Sequence, residues 1–231
     1  MNFEVITDFK DAIDFLSDDL RALRLFKTWI PREKFIELLH SDSGVSIYRS
    51  DPTPIAFSLG IEPPIRSTWM RLNIERGALG IKEIRAKERS DWETYSIEVP
   101  TEGQVSSEVS SRSDSDIDSF LKLHAPKSSV FPGNQEIVRW VCIDIDGELA
   151  GVSAICRWES GEHVVVSVAT HTHLRGRGVG LRLMNQTLKV AQQNSIPNLC
   201  LGVVSENGPA IALYEKAGWK PLFKFTYLER D

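Results

Sequence analysis

The sequence has little of what marks a secreted, membrane-bound or metal-binding protein. Only three of its 231 residues are cysteine, and Cys142, Cys156 and Cys200 lie far apart in apolar, strand-like runs. An odd number of scattered cysteines favours buried, reduced thiols over disulfides or metal ligands, so we expect a cytoplasmic protein without a metal. No apolar run approaches the roughly 18 residues of a membrane span, which predicts neither a signal peptide nor an anchor.

An excess of positive charge is also lacking. The chain has 27 basic and 32 acidic residues, and the formal net charge of −5 argues against a broad nucleic-acid surface. A local basic spot remains at Arg175, Arg177 and Arg182. With 42% hydrophobic and 26% charged residues, the composition is that of an ordinary soluble protein with one large domain or two modest ones. We therefore expect no nucleic-acid or membrane partner, and no polyanion larger than a cofactor.

The most informative segment is a glycine-rich loop that links an apolar, strand-like run to an amphipathic helix. The loop reads Arg175, Gly176, Arg177, Gly178, Val179 and Gly180. Glycines at alternate positions let the backbone approach a bulky anion, and backbone N–H groups converge on such an anion where a helix begins. The arginines add positive charge that a neutral turn does not need. The pattern predicts a binding site for pyrophosphate.

Two common phosphate-binding motifs do not fit this loop. A P-loop ends in Gly-Lys-Ser or Gly-Lys-Thr, and neither ending occurs here. A dinucleotide fingerprint reads Gly-x-Gly-x-x-Gly and has an acidic residue about 20 positions later. In this chain the glycines are each two apart, and the strand-like run at 199–204 contains no Asp or Glu.

A second motif lies downstream of the loop. Residues 207–219 read Asn-Gly-Pro-Ala-Ile-Ala-Leu-Tyr-Glu-Lys-Ala-Gly-Trp. Together with the Arg-x-x-Gly-x-Gly pattern of the loop, this segment resembles the GNAT N-acyltransferase superfamily, whose signature is Asn-x-x-Ala-x-x-Leu-Tyr-x-Lys-x-Gly-Phe. Trp219 stands where the family commonly has Phe. The segment also suits a helix, because Pro209 favours a first helical turn and Gly218 a left-handed stop.

The resemblance implies roles for the residues of both motifs. The loop from Arg175 to Gly180 would bind the pyrophosphate of acetyl-CoA, and the backbone of Val168, Ala169 and Thr170 would bind its pantetheine arm. Asn207 would also meet that arm, although its position equally suits a helix cap. Tyr214 would be the general acid for the sulfur of coenzyme A, since a phenol with a pKa near 10 keeps its proton at neutral pH. Taken alone, Tyr214 reads as a packed aromatic residue.

The sequence offers several candidates for the general base. His171 and His173 lie between the strand-like run and the glycine loop, and a histidine with a pKa near 6.5 can accept the proton of an amine directly or through water. Both can also be surface histidines without a catalytic role. The rival candidates are His163, Glu136, Glu159 and Glu162.

The second part of the chain, residues 105–231, carries the resemblance and predicts the fold class. We expect an α/β protein with the GNAT fold, a mostly antiparallel mixed sheet flanked by helices. The predicted strands are 138–144, 149–157, 164–170, 199–204 and 222–228, and the predicted helices are 117–124, 181–194 and the segment around Tyr214. Turns at Asp146-Gly147 and Ser160-Gly161 should make the first three strands antiparallel.

Residues 1–100 are predicted to form a second, smaller N-terminal α/β domain, joined by a serine-rich linker near 106–113. The expected helices are 9–26, 31–39 and 80–88, and the expected strands are 44–49, 55–59, 68–74 and 95–99. This order repeats that of the second half, so the segment is either a degenerate GNAT-like copy or an unrelated cap. In a copy, residues 76–80 would replace the glycine loop, and Leu79 would obstruct the backbone.

The resemblance implies an N-acetyltransferase that transfers an acetyl group from acetyl-CoA to a primary amine of a small molecule or peptide. The N-terminal domain would border the acceptor cleft. Two alternatives stay open: a GNAT-fold sensor that binds acyl-CoA without catalysis, and a tandem enzyme that makes a small conjugate. Acetyl-CoA and the amine are the expected partners, and the sequence allows a monomer or an oligomer.

Overall fold

The computed structural model of the protein describes residues 3–50, 54–101 and 111–231. The described helices are α1 (Phe9–Leu16), α2 (Leu20–Trp29), α3 (Asp114–His124), α4 (Val179–Gln193) and α5 (Gly208–Lys216). The described strands are β1 (Glu4–Ile6), β2 (Phe35–Ser41), β3 (Gly44–Arg49), β4 (Ile55–Gly60), β5 (Arg71–Glu75), β6 (Glu88–Glu98), β7 (Ile137–Ile145), β8 (Glu148–Arg157), β9 (His163–Thr170), β10 (Asn198–Val204) and β11 (Lys220–Glu229). Most of the predicted serine-rich linker lies outside the described residues.

The strands form a single mixed sheet flanked by helices, which confirms the predicted α/β class. Its order is β1-β2-β3-β4-β5-β11-β6-β10-β9-β8-β7. Neighbouring strands are antiparallel except for β4 with β5 and β9 with β10, which are parallel. The predicted antiparallel set of β7, β8 and β9 is confirmed.

The two halves of the chain exchange strands at the centre of the sheet. Strand β11, the last of the chain, lies between β5 and β6, and β6 lies between β11 and β10. From either edge inward, the sheet therefore begins with antiparallel strands and continues with a parallel pair. One strand of the other half follows, and then the last strand of the half that lies at that edge. This repeat supports the interpretation of residues 1–100 as a GNAT-like half.

Three predicted elements in the first half differ from the structure. The predicted helix 9–26 is two helices, because the Asp19 carboxylate accepts hydrogen bonds from the backbone N–H groups of Arg21 and Ala22 and starts α2 afresh. The predicted helix 31–39 is wrong. A short 3₁₀ turn at Arg32–Lys34 leads instead into strand β2, whose pairing with both β1 and β3 outweighs the helical spacing of its apolar residues.

The predicted helix at 80–88 is also wrong, and turns replace it. The guanidinium of Arg89 donates hydrogen bonds to the carbonyl oxygens of Ile81 (3.2 Å) and Ile84 (3.1 Å), which a helix would have used internally. Gly80 has φ +72°, a left-handed conformation that interrupts a helix.

The counterpart of the glycine loop lies elsewhere than predicted. Strands β4 and β5 correspond to β9 and β10, because each pair is the parallel one of its half. The corresponding connection is therefore 61–70, not 76–80. It contains Pro63 and Pro64, which lack an N–H group, and no helix follows it before β5.

Helices pack on the sheet and divide the apolar core between the halves. Helix α4 buries Leu183, Met184 and Val190 on the second half, and a buried hydrogen bond of 2.8 Å joins Thr187 to Ser153 on β8. Helices α1 and α2 cover the first half. Phe223 and Phe225 of β11 belong to the core of this first half, together with residues of α2.

We predict that a fragment of residues 105–231 does not fold alone, although the sequence marks it as a unit. Its strand β11 pairs only with β5 and β6 among the described strands, and the fragment lacks both. Phe223 and Phe225 would also lose their apolar surroundings. Urea titration followed by circular dichroism should show no cooperative transition, and co-expression with residues 1–104 should restore one. A cooperative transition of the fragment alone would support two independent domains.

Candidate functional site

The site begins where two parallel strands diverge. Strands β9 and β10 are paired at a single register position, Val164 with Cys200, and separate beyond it. Strand β9 also contains a bulge, since Ser167 and Val168 have no partner in a register that pairs Val166 with Ala154 and Ala169 with Val152. Divergence and bulge together open a wedge in the sheet next to unpaired backbone groups.

Ser167 is the residue of this bulge that sequence reasoning missed. Its φ is +52°, a left-handed conformation that costs energy in a non-glycine residue. The buried Ser167 hydroxyl donates to the carbonyl oxygen of Val130 at 2.7 Å and accepts from the Val130 N–H at 3.3 Å. The bulge thereby fixes the loop between α3 and β7 beside the wedge. In the sequence, the one feature that could have indicated this bulge is a serine within a run of valines.

The glycine loop provides a set of unused backbone donors. Gly176 and Gly178 have φ of +75° and +81°, and a Cβ atom at either position would meet nothing within 4 Å. Gly178 is the N-cap of α4. No backbone carbonyl in the described part of the chain accepts from the N–H groups of Gly176, Gly178, Val179, Gly180 and Leu181. Unused N–H groups at a helix start are suited to binding an anion.

Gly180 has a different role from the other two glycines. A Cβ atom there would lie 2.9 Å from Cδ2 of Leu213, so this glycine lets α4 approach α5 closely. The sequence pattern assigned all three glycines to phosphate approach. The structure adds a packing role for Gly180, whose backbone still lines the cleft beside the loop.

The glycine loop lines a first cleft of about 580 Å³, which we call the loop cleft. Val168, Ala169 and Thr170 of β9 line it on one side, and α5 lines it on the other. Its charged side chains are Arg175 and Lys216, and no Asp or Glu is among the described residues that line it. Arg175 is held by a hydrogen bond of 3.0 Å to the carbonyl oxygen of His124, whereas the exposed Arg177 does not line the cleft. The loop cleft therefore favours an anion.

A second cleft, of about 650 Å³, borders the same wedge and is called the valine cleft here. Residues 164–168 of β9 and 202–204 of β10 form its walls, and the α3–β7 loop forms its rim. Trp29 of α2 and Trp158 close it, so the N-terminal half supplies part of this cleft. Their ring centroids lie 4.7 Å apart.

Tyr214 stands where the two clefts meet. Ala125, Val168, Asn207 and Tyr214 line both of them. Burial raises the pKa of Tyr214 to about 12, so the phenol keeps its proton throughout the neutral range. No hydrogen-bond partner of its hydroxyl is found in residues 3–50, 54–101 and 111–231. Asn207 caps α5, with its side chain accepting from the Ala210 N–H at 3.3 Å.

A partly buried polar network links β6 to α5. The Tyr95 hydroxyl on β6 lies 3.2 Å from a Glu93 carboxylate oxygen and 3.4 Å from one of Glu215, the neighbour of Tyr214. Arg76 approaches the same Glu93 at 3.2 Å. Burial and the two carboxylates raise the pKa of Tyr95 to about 12, which keeps its hydroxyl a donor. Because β6 comes from the first half, the sequence motifs of the second half did not reveal this network.

The candidate bases lie apart from the meeting point. His171 and His173 follow β9, but neither lines the loop cleft or the valine cleft. His124, which the sequence did not single out, lines the loop cleft, with its ring 4.2 Å from that of His171. Burial, helped by His171 and Arg175, lowers the pKa of His124. Glu136 and Glu159 line a separate small cleft, and Glu162 pairs with Arg24 at 3.3 Å.

The described residues contain neither a membrane-spanning helix nor a cluster of metal-ligand side chains. None of their helices has both the length and the apolar character needed to cross a membrane. Nor do they contain a group of three or more His, Cys, Asp or Glu side chains placed to hold a metal ion.

A glycine loop at a helix start, set beside two diverging parallel strands and a tyrosine-bearing helix, is the arrangement that the sequence resemblance to acyltransferases implies. A sequence profile of the acetyltransferase (GNAT) family matches residues 92–219, more than half of the chain. The chain therefore belongs to the acetyltransferase (GNAT) family, which indicates an acyltransferase and confirms the resemblance. The match begins within β6, so it includes the strand that the first half contributes. A comparison with curated protein sequences gives no match.

Solved structures share the fold over the whole chain. A GCN5-related N-acetyltransferase from Sphaerobacter thermophilus covers 97% of this chain and 94% of its own, with 12% identity and a TM-score of 0.53. An acetyltransferase of the GNAT family from Colwellia psychrerythraea covers 100% of both chains, with 8% identity and a TM-score of 0.50. A Drosophila protein covers 99% and 98%, with 12% identity and a TM-score of 0.52. At these identities the likeness concerns the fold alone, and it includes the first half.

Proposed function

We propose that the protein transfers the acetyl group of acetyl-CoA to a primary amine, with Tyr214 as the general acid. The observation that carries this proposal is the position of Tyr214, whose buried, protonated hydroxyl lies where the loop cleft and the valine cleft meet. In this assignment the loop cleft takes the coenzyme and the valine cleft takes the acceptor.

The residues of the loop cleft suit the coenzyme. Unused N–H groups at the start of α4 and the charge of Arg175 suit the pyrophosphate. The diverging end of β9, from Val168 to Thr170, offers backbone groups to the amide-rich pantetheine arm. Asn207 caps α5 and also borders the path of that arm, so both of its predicted roles are compatible.

The transfer requires three proton movements, and a fourth restores Tyr214. The acceptor ammonium first loses a proton, and the neutral amine then attacks the thioester carbonyl carbon. As the carbon–sulfur bond breaks, Tyr214 gives its proton to the leaving sulfur, and the nitrogen loses a second proton to form the amide. Tyr214 then regains a proton from solvent. His171 and His173 remain proposals for the accepting base, through an intervening water.

A sensor that binds acyl-CoA without catalysis would need the loop cleft but not the phenol. Release of free thiol from acetyl-CoA in the presence of mixed amines separates the two functions. The proposed transferase releases thiol in proportion to the amine, whereas a sensor binds acetyl-CoA and releases none.

We predict that one acetyl-CoA binds per chain. Strands β4 and β5 stay paired over three successive positions, from Ala56–Leu72 to Ser58–Ile74, so no wedge opens between them. The connection that corresponds to the glycine loop carries Pro63 and Pro64 instead. Calorimetric titration of the full chain should give one equivalent. N-acetylcysteamine thioester, which lacks the pyrophosphate, should not bind in the same concentration range. A second equivalent would instead favour the tandem enzyme.

A further inference from the structure

The valine cleft carries almost no charge. Among the described residues that line it, Lys127 on the rim is the single charged side chain, and Asp, Glu and His are all missing. Lys127 is exposed and forms no ion pair with the described part of the protein. The valines of β9 and β10 supply much of its apolar surface, and the other polar residues that line it, such as Ser128 and Asn207, are uncharged.

This charge pattern selects against polycationic acceptors. An ammonium group that enters an apolar cleft loses its hydration, and here no carboxylate replaces the lost water. Lys127 would repel each additional positive charge at the rim. Polyamines and aminoglycosides carry several ammonium groups, so they match this cleft poorly. A carboxylate on the acceptor, in contrast, would complement Lys127.

Two tryptophans give the cleft an aromatic surface that other aromatic rings hold in place. Trp29 and Trp158 are tilted by 54° to each other. Phe57 stacks on Trp29 with ring centroids 5.4 Å apart. Trp92 and Trp29 form a T-shaped pair with centroids 5.3 Å apart. The indoles therefore present a packed apolar surface in a cleft of about 650 Å³, a usual size for a small-molecule site.

We propose that the acceptor is a small primary amine that carries both an aromatic group and a carboxylate, as an aromatic amino acid does. The aromatic group packs against Trp29 and Trp158, the carboxylate meets Lys127, and the amine reaches the meeting point of the clefts at Tyr214. This proposal rests on the proposed acetyl transfer. It adds the class of acceptor, which the family membership does not give.

Matched acceptors test the proposal through thiol release from acetyl-CoA. L-phenylalanine carries both groups, phenethylamine lacks the carboxylate, glycine lacks the ring, and spermidine carries three amines. We expect kcat/KM to be highest for phenylalanine. A higher kcat/KM for spermidine or glycine would overturn the proposal while leaving acetyl transfer itself established.

Two variants assign the contacts. Lys127→Ala should lower kcat/KM for phenylalanine about five-fold, the scale of an exposed ion pair, and leave phenethylamine unchanged. Lys122→Ala is the matched control, because Lys122 is also an exposed lysine of this region but pairs with Asp118 and does not line the cleft. Trp158→Ala should lower kcat/KM for both aromatic acceptors about ten-fold, and Trp158→Phe should restore most of it. If Lys127→Ala lowered kcat/KM equally for phenylalanine and phenethylamine, the proposed contact between Lys127 and the carboxylate would be wrong.

A binding measurement keeps the proposal testable if transfer is not observed. N-acetyl-L-phenylalanine, the product, should bind calorimetrically to the full chain in the presence of coenzyme A, and Trp158→Ala should weaken it about ten-fold. Binding without turnover would contradict the proposed transfer but support the acceptor site. Failure of the product to bind would overturn the acceptor class, whatever the activity with other amines.

Discussion

Replacement of Tyr214 by phenylalanine should lower kcat by about 10²–10⁴-fold, the usual contribution of a positioned general acid. The ring would still fill its place beside Tyr95 and Trp219, whose centroids each lie 6.3 Å away. The hydroxyl has no protein partner among the described residues, so its removal leaves no buried group unsatisfied. The affinity for acetyl-CoA and the melting temperature should therefore stay close to those of the wild type. Steady-state kinetics and calorimetry measure the two effects separately.

Tyr227→Phe is the matched control, since it removes a tyrosine hydroxyl that bonds Glu229 on β11 and lines neither cleft. The experiment should use an acceptor for which chemistry limits turnover. Because the pKa of Tyr214 is about 12, the wild-type rate should show no loss of the acid between pH 7 and 10. An unchanged kcat for Tyr214→Phe would make Tyr214 a packing residue and favour the sensor.

The parts of the site that local chemistry specifies could be predicted from the sequence. Glycine spacing identified the start of α4, and the asparagine-to-tryptophan motif identified α5 with its cap. These elements depend on residues close in sequence, whose conformational preferences are readable. The misassigned helix at 31–39 shows the opposite case, because the pairing of β2 with β1 and β3 comes from distant residues.

Features that depend on distant pairing could not be predicted. The alternation of polar and apolar residues along β11 is compatible with many neighbouring strands. It therefore does not indicate that β11 lies between β5 and β6. The contact of Trp29 with Trp158 joins the two halves, and no local pattern links these residues. The described residues that line the loop cleft all belong to the second half, and most of them were foreseen. The tryptophans that line the valine cleft emerged only from the structure.

Replacement of Gly178 by valine should weaken acetyl-CoA binding by about 10²-fold or more. Gly178 lines the loop cleft and caps α4 with φ +81°, and a side chain there would occupy open space in front of the unused N–H groups. Each hydrogen bond to a charged group is worth about 1.5–3 kcal/mol, so losing two costs at least about 3 kcal/mol. Calorimetric titration with acetyl-CoA measures the loss.

Backbone strain must be separated from the loss of the phosphate contacts. Gly147, in the turn between β7 and β8, has the same φ of +81° and the same open surroundings, but it does not line the loop cleft. Gly147→Val should therefore suffer the same cost of about 1–2 kcal/mol for a left-handed residue and a similar drop in melting temperature. It should bind acetyl-CoA as the wild type does. If Gly178→Val is folded and also retains wild-type affinity, the pyrophosphate does not bind at the start of α4.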